Sequence, residues 1–240
     1  MNIRNQTALV VGASSGIGRE TAVLFAREGV RVMASARRED RLRSLRDTLA
    51  AEDLAVEYHV ADAADPAAME ELARVTRERL GEIDILVYAT GTNIADRALN
   101  RLRRETWDNM ISVNLSGAYY ITRAVLPGMR ERGRGHIIFI ASISGMVPDV
   151  SGVAYQAAKR GLIGLAHAIR VEEKQHGIRT CAILPGLVDT EILDYRPVKT
   201  PAETLAKALR PEDVAEAVLA VCRLPERAVV PELQIVPTLL

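Results

Sequence analysis

Apolar residues along this chain recur in two alternating rhythms. Residues 7–11 (TALVV) form an unbroken apolar run of strand length. Residues 17–28 then place Ile17, Thr21, Ala22, Leu24 and Phe25 at the spacing of one helix face, and Gly29 follows as a C-terminal cap would. Further strand patterns fall at 30–35, 55–60, 83–88, 136–141, 179–184 and 228–236. Helical patterns fall at 39–51, 65–80, 153–176 and 211–224. Asp65-Pro66 reads as an N-cap with proline in the first helical turn. A further helical stretch, 104–132, contains Pro127, which predicts a bend or a break there.

Seven apolar strands separated by long helices imply right-handed crossovers. The expected fold is α/β: a single Rossmann-type, doubly wound domain over residues 1–240, with a seven-stranded, mostly parallel sheet and helices on both faces. No internal repeat or linker divides the chain. Residues 187–200, rich in Pro, Asp and Thr, are expected to be a lid or binding loop.

Composition narrows the class. Basic and acidic residues balance at 31 each, so no global field draws the chain to nucleic acid or an anionic membrane. Phe and Trp number only three together, which leaves no basic stripe with interleaved aromatics. Cys181 and Cys222 lie in apolar runs without metal-ligand or redox spacing, so they read as small buried hydrophobes in a reducing compartment, and no metal is expected. The N-terminus runs directly into a strand, and no apolar run reaches the length of a bilayer span. A cytoplasmic protein without a signal peptide is expected.

The first candidate chemistry is the turn Gly12-Ala13-Ser14-Ser15-Gly16-Ile17-Gly18, between the first strand and the first helix. Gly12 permits a tight turn, Gly16 lets backbone approach a pyrophosphate, and Gly18 allows close packing of helix on strand. The helix start offers free N–H groups and the positive end of its dipole. A strand before and a helix after supply the context that dinucleotide binding requires. With its GxxxGxG spacing the turn resembles that of the short-chain dehydrogenase/reductase family, which carries Thr-Gly-x-x-x-Gly-x-Gly here. Val11 stands in place of the threonine. The resemblance implies cofactor contacts from Gly12, Ser14, Ser15, Gly16, Ile17 and Gly18.

The second strand ends in Ser35-Ala36-Arg37-Arg38, without the carboxylate that an NAD enzyme places on the ribose 2′-hydroxyl. A guanidinium fork suits a phosphate. By resemblance, Arg37 holds the 2′-phosphate of NADP, with Ser14 and Arg38 as helpers, and Asp62 matches the adenine-contacting aspartate. NADP (NADPH) is therefore expected rather than NAD.

Tyr155-Gln156-Ala157-Ala158-Lys159 sets a phenol and an ammonium one helical turn apart. With 6 tyrosines and 4 lysines in 240 residues, chance supplies roughly 0.1 such pairs, so the match is informative. Reducing a carbonyl by hydride leaves an alkoxide that needs a proton. A phenol of pKa about 10 is a slow acid–base catalyst until a nearby cation stabilises its phenolate. The resemblance extends through six motifs in the family's order, from the first strand to Pro237. It implies that Ser142 hydrogen-bonds the substrate oxygen, with Ser144 read as a turn serine. It also implies that Asn114 holds a water in a proton relay behind the lysine. Pro185, Gly186, Val188 and Thr190 fit Pro-Gly-x-Val-x-Thr, which holds the nicotinamide carboxamide. One motif is degraded: Asn-Asn-Ala-Gly appears as Tyr88-Ala89-Thr90-Gly91, so the side-chain bracing of the central strands needs a substitute. Backbone contacts from Ala89 and Gly91 to the cofactor are still expected.

The implied activity is hydride transfer between a nicotinamide and a ketone or secondary alcohol, with Tyr155 as general acid–base. An NAD-linked alcohol dehydrogenase and a non-catalytic dinucleotide sensor are the alternatives. Retention of Asn114, Ser142, Tyr155 and Lys159 together argues against the sensor. Expected pocket walls are 92–94, 143–152 and 187–200, made substantially apolar by Met146, Val147, Leu187, Ile192, Leu193 and Tyr195. 3-Oxoacyl reductases, the family's commonest type, supply the default substrate class. The helices at 104–132 and 153–176 resemble those the family pairs, so a homotetramer, or else a homodimer, is expected.

Overall fold

The computed structural model describes residues 2–240. Its strands are β1 (Thr7–Val11), β2 (Arg31–Ala36), β3 (Val56–Val60), β4 (Ile85–Tyr88), β5 (Gly135–Ile140), β6 (Ile178–Pro185) and β7 (Glu232–Ile235). They form one sheet in the order β3-β2-β1-β4-β5-β6-β7, and every adjacent pair is parallel. The helices are α1 (Gly16–Arg27), α2 (Glu39–Ala50), α3 (Pro66–Leu80), α4 (Arg104–Ile111), α5 (Gly117–Arg132), α6 (Val153–Glu173), α7 (Ala202–Leu205) and α8 (Pro211–Cys222).

Side-chain alternation along β1 distributes the core to two faces. Ala8 and Val10 meet Phe25 of α1, Leu45 of α2 and Val218 of α8, whereas Leu9 and Val11 meet Leu72 of α3, Ile121 of α5 and Leu162 of α6. Strands buried on both faces are apolar at most positions, which explains the apolar runs in the sequence. Asp65 caps α3 as expected, its side chain accepting from the Ala67 amide at 2.9 Å. No helix among the described residues is long and apolar enough to cross a membrane.

The expected break at Pro127 is absent. Instead a five-residue π-helical segment, Ser112–Ser116, separates α4 from α5, and α5 continues through Pro127. Pro127 and Arg123, whose carbonyl loses its donor, are both exposed, so water can take the vacated bond. Within residues 187–200 the chain folds into a 3₁₀ turn at Glu191–Tyr195. The last strand is shorter than its apolar run, and β6 is longer at both ends.

Candidate active site

The strand order reverses between β1 and β4, and there the carboxyl ends of the strands open around a cavity of about 460 Å³. The glycine-rich turn forms one wall. Gly12 and Ala13 donate their N–H groups to the Ser35 carbonyl at 2.8 and 3.0 Å, tying the turn to β2. Gly12 has φ +94°, and a Cβ there would lie 2.7 Å from the backbone of Ala89 and Thr90. A Cβ on Gly18 would lie 2.3 Å from the Gly12 carbonyl oxygen, so α1 sits this close only because the side chain is missing. Ser15 occupies the N-cap of α1 without capping it, leaving the first amides of the helix open to the cavity beside Gly16 and Ile17.

At this end of the cavity the two arginines separate. Arg38 donates to Ser14 Oγ from Nε at 3.2 Å and from Nη2 at 3.0 Å, and to Ser15 Oγ at 2.6 Å. Its Nη1 meets Glu191 at 2.8 Å, and Arg41 reaches the other oxygen of Glu191 at 3.2 Å. The Arg38 hydrogen bond is the main reason the Glu191 carboxyl is held below the usual range. Arg37 is more exposed and pairs loosely with Asp62 at 3.8 Å. Arg38, at the N-cap of α2, turns back over the glycine turn and partners Ser14, while Arg37 lies beside Asp62, and both line the cavity.

At the opposite end lie Ser142, Tyr155 and Lys159. Lys159 is 3 % exposed, donates to the Ile140 carbonyl at 2.8 Å and holds its Nζ 5.7 Å from the centroid of the Tyr155 ring. That is the ammonium's one hydrogen bond to the described residues, so two of its hydrogens are available to a ligand. Burial lowers the lysine pKa to about 8. Burial also pushes the Tyr155 phenol up to about 12, against the opposing pull of the Ser142 hydroxyl. Ser142 Oγ accepts from the Ser144 amide at 3.1 Å, whereas Ser144 Oγ is tied to Asp149 and Ser151. Ser142 thus lies beside the Tyr155 phenol, whereas the Ser144 hydroxyl is engaged on the Asp149 side.

Asn114 stands behind this group in the π-helical segment, fully buried. Its Oδ1 accepts from the Thr92 amide at 3.0 Å, and its Nδ2 donates to the carbonyls of Met110 at 2.9 Å and Thr92 at 3.1 Å. The side chain thus joins α4 to the segment after β4, and Gly91 lies between Asn114 and Lys159. The degraded motif also finds its substitute here. The buried Tyr88 hydroxyl donates to the Val113 carbonyl at 2.6 Å, bracing β4 against the π-helical segment.

Arg37, Asp62, Ala89, Gly91, Pro185, Gly186, Val188 and Thr190 all line the cavity; Gly18 and Asn114 support it from behind. Met146 and Val147, expected in the apolar wall, are 41 % and 61 % exposed and take no part in it. Leu187, Ile192, Leu193 and Tyr195 do line it. The end near Tyr155 also carries Arg97, Asp149, Ser151 and Arg196, which sequence reasoning did not single out. Asp149, Ser151, Glu191 and Arg196 fall within the expected wall segments, but nothing in the pattern around Arg97 marks it. The wall is consequently more polar than the sequence suggested.

A nicotinamide dinucleotide suits these residues. Open helix amides face a pyrophosphate position, two guanidinium groups sit at one end, and the free donors of Lys159 sit at the other, in reach of ribose hydroxyls. The short chain dehydrogenase family profile matches residues 6–200. An uncharacterized oxidoreductase of Staphylococcus aureus strain MRSA252 is 33% identical over 236 residues, covering 98% of each chain. Among solved structures, a closed form of serine dehydrogenase complexed with NADP+ aligns with a TM-score of 0.88 and 35% identity, over 96% of this chain and 94% of that one. A variant of actinorhodin polyketide ketoreductase with NADPH gives a TM-score of 0.89 and 31% identity, over 98% and 97%. With a profile match over most of its length and full-length likeness to oxidoreductases, the chain belongs to the short-chain dehydrogenase/reductase family and is an NAD(P)-dependent oxidoreductase.

Proposed function

We propose that this enzyme interconverts a ketone and a secondary alcohol with NADP as cofactor and Tyr155 as general acid–base. The observation that carries this reading is the convergence of Ser142, Tyr155 and Lys159 at one end of a cavity whose other end presents Arg37 and Arg38. When bound, the nicotinamide supplies or accepts the hydride. Ser142 donates to the carbonyl oxygen and fixes it beside the phenol. Tyr155, half-buried and protonated at neutral pH, gives its proton to that oxygen as negative charge builds there. Lys159, still mostly cationic at neutral pH, stabilises the phenolate left behind. Asn114 holds the segment that carries Gly91 and Thr92 in register with this set.

The preference for NADP is supported by Ala36 standing where a ribose-binding carboxylate would be, and by Arg38 poised on Ser14. The serine dehydrogenase and the polyketide ketoreductase, both with an NADP cofactor, differ in substrate; that contrast supports the reaction class and leaves the substrate to this chain's own cavity. The buried free thiols Cys181 and Cys222, both pushed up to about 12 by burial, suit a reducing cytoplasm. Exposed Trp107 on α4 and Tyr119 on α5 suit assembly as a homotetramer or homodimer. Tyr155→Phe tests the mechanism: turnover of carbonyl substrates, followed by reduced-nicotinamide absorbance, should fall by about 10²–10⁴-fold while NADPH binding is kept. Near-normal turnover would refute the assignment.

A further inference from the structure

The substrate end of the cavity is more strongly charged than a neutral ketone requires. Arg97 leaves the segment after β4 and lays its stem along Gly152, where a Cβ would come within 2.7–3.0 Å of the arginine's Cβ, Cγ and Cδ. Gly152 immediately precedes α6, so Arg97 is fixed against the helix that carries Tyr155. Its Nε donates to the Ile94 carbonyl at 2.9 Å and its Nη2 to the Tyr195 carbonyl at 2.6 Å, while Nη1 has no partner among the described residues. Arg196, next along from Tyr195, donates to Thr200 Oγ1 at 3.0 Å. Among the described residues neither guanidinium is paired with a carboxylate, in contrast to Arg38 and Arg41 at the other end.

Asp149 is the one carboxylate lining this end, and it is already engaged. One oxygen accepts from the Ser151 amide at 2.8 Å; the other accepts from the hydroxyls of Ser144 and Ser151. Asp62 and Glu191 face the opposite end, beside Arg37, Arg38 and Arg41. Two cations against one saturated anion leave the substrate end positive. Burial and the nearby Arg196 disfavour the Arg97 charge and outweigh the opposing field of Asp149, which does not pair with it directly. Arginine forks match planar carboxylates in particular.

We infer that the preferred substrate is an oxo acid and its hydroxy acid counterpart, whose free carboxylate pairs with Arg97 and Arg196 while the reacting oxygen lies between Ser142 and Tyr155. This rests on the proposed role of Ser142, Tyr155 and Lys159. In reduction the carbonyl carbon gains a hydride from the reduced nicotinamide, the C=O π bond is replaced by C–H and O–H bonds, and the oxygen takes the Tyr155 proton. Solvent returns a proton to Tyr155, and the carboxylate is unchanged. A thioester at the same position would offer the arginines no charge.

The test measures NADPH consumption with pyruvate, acetoacetate and levulinate, each beside its methyl ester, and with acetoacetyl-coenzyme A. For at least one pair the acid should exceed its ester in kcat/KM by about ten- to hundredfold. Arg97→Met and, separately, Arg196→Met should bring that ratio toward unity, mainly through KM of the acid. Arg97→Lys should recover part of it. Esters or the thioester outperforming every acid in the wild type would overturn the proposal, as would arginine variants that lower acid and ester by the same factor. Turnover of esters alone would refute the oxo acid while leaving the ketone reductase intact; no turnover of any carbonyl would refute both.

Discussion

Lys159 carries two demands that oppose each other. The proposed mechanism requires it to be cationic beside Tyr155, yet it is 3 % exposed with a single carbonyl partner. Burial puts its folded-state pKa at about 8 against 10.5 for the free group, so the unfolded chain holds the extra proton between those values. Wild-type stability should therefore rise with pH through this window. Lys159→Met should abolish turnover and stabilise the protein at neutral pH by about 1–3 kcal/mol, an advantage that fades above pH 8 in urea titrations. The placement of Tyr155 and Lys159 on one helix beside the cavity was legible in the sequence, because it follows from helical spacing. Arg97 was not. Its importance comes from Gly152 and Tyr195, which are distant in sequence and meet it only in the fold.

At the scale of elements, the alternation of apolar runs disclosed the strands and most helices, because the central parallel strands, covered on both faces, have few polar positions to blur them. The π-helical segment at Ser112–Ser116 was invisible, since one widened turn scarcely disturbs an apolar period read over a long helix. Tyr88 helps to fix the segment together with Asn114, and the sequence showed Tyr88 only as a departure from a motif. Tyr88→Phe keeps the packing but leaves the Val113 carbonyl buried without its donor. Stability should fall by about 1–3 kcal/mol, read as a lower denaturant midpoint with an unchanged slope.

For the whole molecule, a parallel sheet followed from the chain's rhythm, but the strand order, and hence the reversal that creates the cavity, depends on which faces the helices cover. Ligand linkage gives a global readout of the site. NADPH at about 100 times its Kd should stabilise the fold by about 2.7 kcal/mol, seen as a higher Tm. Arg38→Ala should shrink that gain at the same NADPH concentration and leave the effect of NADH almost unchanged.

The short stretch from Glu191 to Arg196 touches both ends of the cavity. Glu191 holds Arg38 and Arg41, the Tyr195 carbonyl accepts from Arg97, and Arg196 lines the substrate end. A ligand that displaces Glu191 from the arginines changes the anchorage of the same backbone that positions Arg97. The two compartments are thus joined by one strap, and their affinities are thermodynamically reciprocal: whatever factor cofactor imposes on substrate binding, substrate imposes on cofactor.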